Sequence, residues 1–141
     1  VENKDTYHAM PAMPRALCVF GSGAAVSRLR TLLPWCMDGG VRVVYWGGDM
    51  DADGLEILAR LRATGVACAS VCMDRESYDA YAQFGTTLGA DGSPILRRKP
   101  KEGLCLTDEE AALYRALCTG ALPNPRVEQE RIPIAQALAR L

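Results

Sequence analysis

The sequence predicts an α/β domain: a mostly parallel sheet with helices on both faces. Three observations carry this. Short apolar runs alternate with segments of helical periodicity through the first half of the chain. A strand–helix–strand–helix–strand order is best packed as parallel strands joined by right-handed crossovers. The 141 residues, 49% apolar and 23% charged, suit one domain with one core.

The elements follow in order. "ALCVF", residues 16–20, reads as a buried strand. "GSGAAVSRLRTLL" reads as a helix that Ser22 can cap, with Val26, Leu29, Leu32 and Leu33 at helical spacing. Gly21 and Gly23 open it, but Val26 stands at the sixth position, so a full GxGxxG phosphate turn is absent. "VRVVYW", residues 41–46, is a β-branched and aromatic strand. Residues 51–65 form a helix with Leu55, Ile57, Leu58 and Leu61 on its apolar face and Gly65 past its end. "VACASVCM", residues 66–73, is a third strand, and "RESYDAYAQF" a short helix. Residues 85–103 are rich in Gly, Pro, Lys and Arg and read as a long loop. "LTDEEAALYRALC" is a helix, with Thr107 as N-cap and Glu110 completing a capping box. "RVEQERIPIAQALARL" reads as a short acidic segment before a terminal helix with Pro133 in its first turn.

Composition excludes several classes. No run of eighteen apolar residues spans a membrane, and no signal peptide is visible, so a cytoplasmic location is expected. The opening "VENKD" lacks a Met and reads as part of a longer chain. Six cysteines lie mostly in apolar runs and read as reduced, buried residues. With no CxxC pair and one histidine, His8, a zinc site is not expected. A net charge of −1 leaves any nucleic-acid contact to a local patch.

The chemistry concentrates in "VVYWGGDMDADGLEIL", which places Asp49, Asp51, Asp53 and Glu56 just past a strand. Carboxylates this close repel and raise one another's pKa, and a divalent cation is the usual compensation. Ligands of parallel α/β sheets gather beyond the carboxyl ends of the strands, where Asp74 also falls after the third strand. A plain alternative is that these acids cap helices and complement their dipoles. An EF-hand loop is rejected, because position twelve is Arg60 and a strand precedes. A haloacid dehalogenase-like phosphatase would use "DADG" as a strand-end DxDG, but the downstream acidic pair is lacking. A third reading is the Toprim nuclease pattern, a strand-end Glu followed later by a strand-end D-x-D.

"YWGGDMDADGLEILARLR", "MDRES", "LTDEEAALYRAL" and "RVEQERIP" occur in this order, after "VEN". As an ordered set they resemble the carboxy-terminal Toprim domain of the Wadjet plasmid-defence nuclease subunit, the JetD family, itself similar to the A subunit of topoisomerase VI. The resemblance spans nearly the whole chain. One departure is the second Gly of "WGGD", where the family reads one. The resemblance implies a single Toprim-like (Rossmann-like) domain over residues 1–141, with about four strands, and a winged-helix region upstream. It implies Mg²⁺-dependent cleavage of circular plasmid DNA, with Mn²⁺ able to substitute, alongside condensin-like subunits, and it allows a homodimer. The implied catalytic and metal-binding set is Glu2, Asp49 and Asp51, with Asp53 as a further metal ligand. Without the resemblance, Glu2 would read as a frayed terminus. Asp74, Glu128 and Glu130 are outer or alternative acids, unless Glu128 and Glu130 simply pair with Arg126 and Arg131. Lys4 and the "RRKPK" run, through Arg97, Arg98, Lys99 and Lys101, are the expected phosphate contacts, against the plainer reading of a solvated loop. A non-catalytic docking domain is the remaining alternative.

Overall fold

A computed structural model describes residues 1–21, 26, 28–89 and 91–141. The chain forms helix α1 (Lys4–Ala9), α2 (Leu29–Leu32), strands β1 (Val43–Tyr45) and β2 (Asp49–Asp51), α3 (Ala52–Ala63), β3 (Cys68–Ser70), α4 (Arg75–Tyr81), β4 (Gly85–Thr86), α5 (Asp108–Thr119), β5 (Arg126–Glu128) and α6 (Ile134–Leu138). The fold is mixed α/β.

The sheet differs from the expected one. β1 and β3 pair in parallel, Val43 opposite Cys68, as the crossover through α3 requires. The remaining strands form a separate antiparallel sheet, ordered β2-β5-β4. Charge explains the split. A strand in a parallel sheet is covered on both faces and reads as a continuous apolar run. β2 is Asp-Met-Asp, with one face that must stay polar, and an antiparallel sheet allows that. Gly47 and Gly48 end the apolar run and let the chain start β2 anew.

Two expected elements at the start of the chain also change. Residues 16–20 form no strand; Leu17 and Phe20 are exposed. The segment still joins the fold through the backbone. Val1 N donates to Val19 O at 2.9 Å, Gly21 N to Val1 O at 2.7 Å, and Glu2 N to Trp46 O at 3.1 Å. The first residues thus lie between this segment and the end of β1. Of the helix expected after Gly21, α2 is the described part, and the cap proposed for Ser22 lies outside the described residues, as does Gly23. Helix α1 has no counterpart among the expected elements. It starts because Asn3 accepts from the Asp5 and Thr6 amides.

Later elements follow the sequence closely. Leu55, Leu58 and Leu61 of α3 are fully buried; Ile57 is half-buried. Thr107 and Glu110 form the capping box of α5, which ends at Gly120 in the left-handed region. The long loop opens with β4, and the acidic segment before the terminal helix is β5. The core is Met50, Leu55, Leu58, Tyr78, Leu113, Tyr114 and Val127 with their neighbours, between α3, α5 and the β2–β5 pair. All six cysteines are free thiols. Cys68, Cys72 and Cys118 are buried as expected, whereas Cys105 is exposed.

Candidate functional site

The site grows from the pairing of β2 with β5. Asp49 faces Glu128, Met50 faces Val127, and Asp51 faces Arg126. Side chains alternate along a strand, so the two apolar partners share one face and the four charged residues the other. Met50 and Val127 are fully buried. Hydrophobic burial on one face therefore fixes the register that gathers three acids and one arginine on the other.

Asp51 ends β2 and caps α3, accepting from Gly54 N at 2.7 Å. Gly54 is required there, since a Cβ would collide with the Asp49 carbonyl oxygen. The Gly of "DADG" thus lets the first turn of α3 close against β2. Arg126 reaches both aspartates. Its Nε and Nη2 each lie 2.8 Å from Asp51 Oδ2, and Nε lies 3.4 Å from Asp49 Oδ2. Asp51 is 6% exposed and Asp49 33%.

One arginine does not balance these charges. Burial raises the pKa of Asp51 despite Gly54 and Arg126. Burial pushes Asp49 up to about 6; Arg126 opposes this, while Asp51, Glu128 and Glu130 add to it. Burial is thus the main cause of both shifts, and the neighbouring acids add to it.

Glu2 stands next to this face without joining it. Its Oε2 accepts from Tyr45 Oη at 2.8 Å and from Gly48 N at 3.2 Å. Burial, and then Glu2, raise the Tyr45 pKa, so the phenol stays protonated and donates. Asn3 Nδ2 donates to Glu130, tying the same segment to the end of β5. Glu2 is therefore an anchored side chain rather than a frayed terminus. Yet among the described residues no three His, Cys, Asp or Glu side chains are grouped closely enough to hold a metal. The donor type fits: carboxylate oxygens suit a hard cation such as Mg²⁺. The arrangement is incomplete, with Arg126 lodged between the two aspartates.

Other expected residues find different partners. Asp53, expected as a further ligand, pairs with Arg98 at 2.8 Å. Asp74 caps α4, accepting from Ser77 N at 2.7 Å, and lies 3.4 Å from Arg140. Glu128 pairs with Arg131 at 3.1 Å, as the ion-pair alternative expected, but Arg126 turns to the aspartates instead. The "RRKPK" run divides. Arg98 lies 3.0 Å and Lys101 2.6 Å from Glu56, so both already hold a carboxylate; Arg97, Lys99 and Lys4 are exposed.

Three residues have partners that sequence reasoning did not assign. Arg126 carried a signal, because its strand is polar at alternate positions. Tyr45 carried none, its hydroxyl partner being 43 residues away. Glu56 looked like a first-turn acid, yet it is buried, with Tyr114 Oη donating at 2.9 Å.

Fold and site together define a mixed α/β domain in which Asp49 and Asp51, expected beyond a strand end, instead lie within β2, on the polar face of its pairing with β5. The family model of the Wadjet protein JetD, C-terminal, matches residues 1–141, and the chain belongs to that family. Membership implies a part in Wadjet plasmid defence. No curated protein matches the chain. Among the described residues, no helix is long and apolar enough to cross a membrane.

Proposed function

We propose that this chain is the Toprim-like, Mg²⁺-dependent nuclease domain of a Wadjet complex, hydrolysing phosphodiesters of circular DNA in the cytoplasm beside condensin-like subunits. The observation that carries this is the under-compensated pair Asp49 and Asp51 on the polar face of β2–β5, in a chain of the JetD family. Support also comes from chain order, with Glu2 ahead of the D-x-D strand and one residue from its start through the Gly48 amide.

Asp49 and Asp51 would hold the cation, and Glu2 would complete the set. Such an ion supplies charge stabilisation for the phosphodiester and its leaving oxygen. Asp51 is oriented by Gly54 N, and Glu2 by Tyr45 and Gly48, so both carboxylates are held in place beforehand. Exposed Lys4, Arg97 and Lys99 are free to meet backbone phosphates. Arg98 and Lys101 instead brace the loop through Glu56.

The test is nicking of supercoiled plasmid by the complete complex. Mg²⁺-dependent nicking, abolished by chelation and reduced at least about a hundredfold by Asp49→Asn/Asp51→Asn, is expected from loss of the charges that hold the ion. Normal plasmid restriction by the double variant would establish the docking-domain reading instead. Turnover of a small phosphomonoester in place of plasmid would favour a phosphatase.

A further inference from the structure

We infer that Gln129 is the positioning residue that sets Glu2 against Asp49 and Asp51, because its side-chain amide joins the β1–β3 sheet to the β2–β5 sheet. This rests on reading those three acids as one nuclease centre, and it gives a role to a residue which that reading leaves out.

The acids arrive on two sheets. Glu2 is carried by the first, through Glu2 N to Trp46 O at 3.1 Å and through the Tyr45 hydroxyl. Asp49 and Asp51 belong to β2, which is paired with β5. The chain between the sheets is Gly47 and Gly48, and glycine leaves the backbone its widest choice of angles. The connection alone does not fix how the sheets meet; side-chain contacts must.

Gln129 supplies a buried one. It directly follows Glu128, the β5 partner of Asp49, and is fully buried. Its Nε2 donates to Cys72 O at 2.7 Å and to Val71 O at 3.2 Å, beside Met73 Sδ at 3.1 Å. Val71 N in turn donates to Tyr45 O at 3.0 Å, extending the β1–β3 pairing. One amide thus ties the end of β5 to the ends of β3 and β1. The turn that it holds is itself under constraint, with Cys72 at a φ of 54°, where residues other than glycine are uncommon. A second tie between the same regions, Asn3 to Glu130, lies exposed.

The two carbonyls also fix which way the amide points, since reversing it would set Oε1 against both of them. In the observed orientation Oε1 is buried with no partner. A side chain that only filled this space would be apolar and would orphan no polar atom. Gln129 leaves an acceptor unpaired while its donors hold the joint.

The experiment compares wild type with Gln129→Met and Gln129→Glu, in the full-length protein and the complete complex, each confirmed folded by circular dichroism. Gln129→Met keeps the bulk and loses both donors. It is expected to lower kcat for plasmid nicking about tenfold or more with KM unchanged, the mark of a misplaced catalytic group. The Gly48 amide resonance, read on glycine-labelled protein, is expected to shift, because that N–H donates to Glu2 Oε2. Gln129→Glu carries the test if Gln129→Met does not fold. Its carboxyl can donate to Cys72 O when protonated but not when ionised, and burial raises its pKa. Nicking relative to wild type should therefore recover near pH 6 and fall near pH 8.5. A merely structural role would lower the melting temperature and move none of these in folded protein. Wild-type kcat, or an unmoved Gly48 resonance, in the folded variants overturns the role of Gln129 and leaves the nuclease reading standing. Absence of nicking by wild type overturns the nuclease reading and this role with it.

Discussion

Two carboxylate clusters flank the start of α3, and they are built in opposite ways. Glu56 is 6% exposed and meets Arg98, Lys101 and the Tyr114 hydroxyl. Burial pushes its pKa up, but Lys101, Tyr114 and Arg98 outweigh burial, and the carboxyl settles below the usual range. On the other side, Asp49 and Asp51 share one arginine, and burial leaves both above the usual range. A structural acid recruits more counter-charge than it needs. Asp49 and Asp51 are left short of it, the imbalance that motivates the proposed cation site. The difference lies in the partners: cationic groups from a loop reach Glu56, whereas the neighbours of Asp49 are mostly further acids.

The same acid-to-amide change should therefore have opposite effects in the two clusters. Glu56→Gln is expected to destabilise by about 2 kcal/mol in urea unfolding at pH 7, the usual magnitude for losing hydrogen bonds to charged groups. Since the folded pKa of Glu56 is depressed, this contribution is complete above the unfolded carboxyl pKa and fades as acid protonates the native state. The penalty should shrink toward pH 3. Mn²⁺ affinity should not change, because Glu56 is occupied elsewhere.

Asp49→Asn is expected to do the reverse, and by less. With chelator present, its folded pKa of about 6 lies above the unfolded value near 3.8. Between these values the native state binds more protons than the unfolded one, so stability falls as pH rises through that window. The amide that replaces the carboxylate carries no such charge. The variant should melt about 2 °C higher than wild type at pH 7.5, and the gain should vanish near pH 4. A lower melting temperature at pH 7.5 would mean that Arg126 already compensates Asp49 in full.

How much of this was legible in the sequence depended on the reach of the interactions. Helices α3 and α5 were readable because their determinants are local. Leucines recur every three or four residues, and Thr107 and Glu110 lie three apart. The acidic cluster was readable for the same reason, being eight residues of sequence. The sheet was not. An Asp-Met-Asp triplet has too few apolar positions to announce a strand, and its partner β5 lies 75 residues further on, at the separation of Asp51 from Arg126. The partners of the basic loop were hidden for a related reason. Nothing in the run of Arg and Lys announces that Glu56, 45 residues before Lys101, pairs with two of its cations. Local pattern located the acids, and long-range pairing decided which were compensated.

Asp49 and Asp51 are proposed to hold a divalent cation together. Mn²⁺ titration of the full-length protein, wild type against Asp49→Asn/Asp51→Asn at pH 7.5, addresses it directly. Saturable binding in wild type, weakened about a hundredfold or more when both charges are removed, is the predicted result. Equal affinity in the two folded proteins would contradict it.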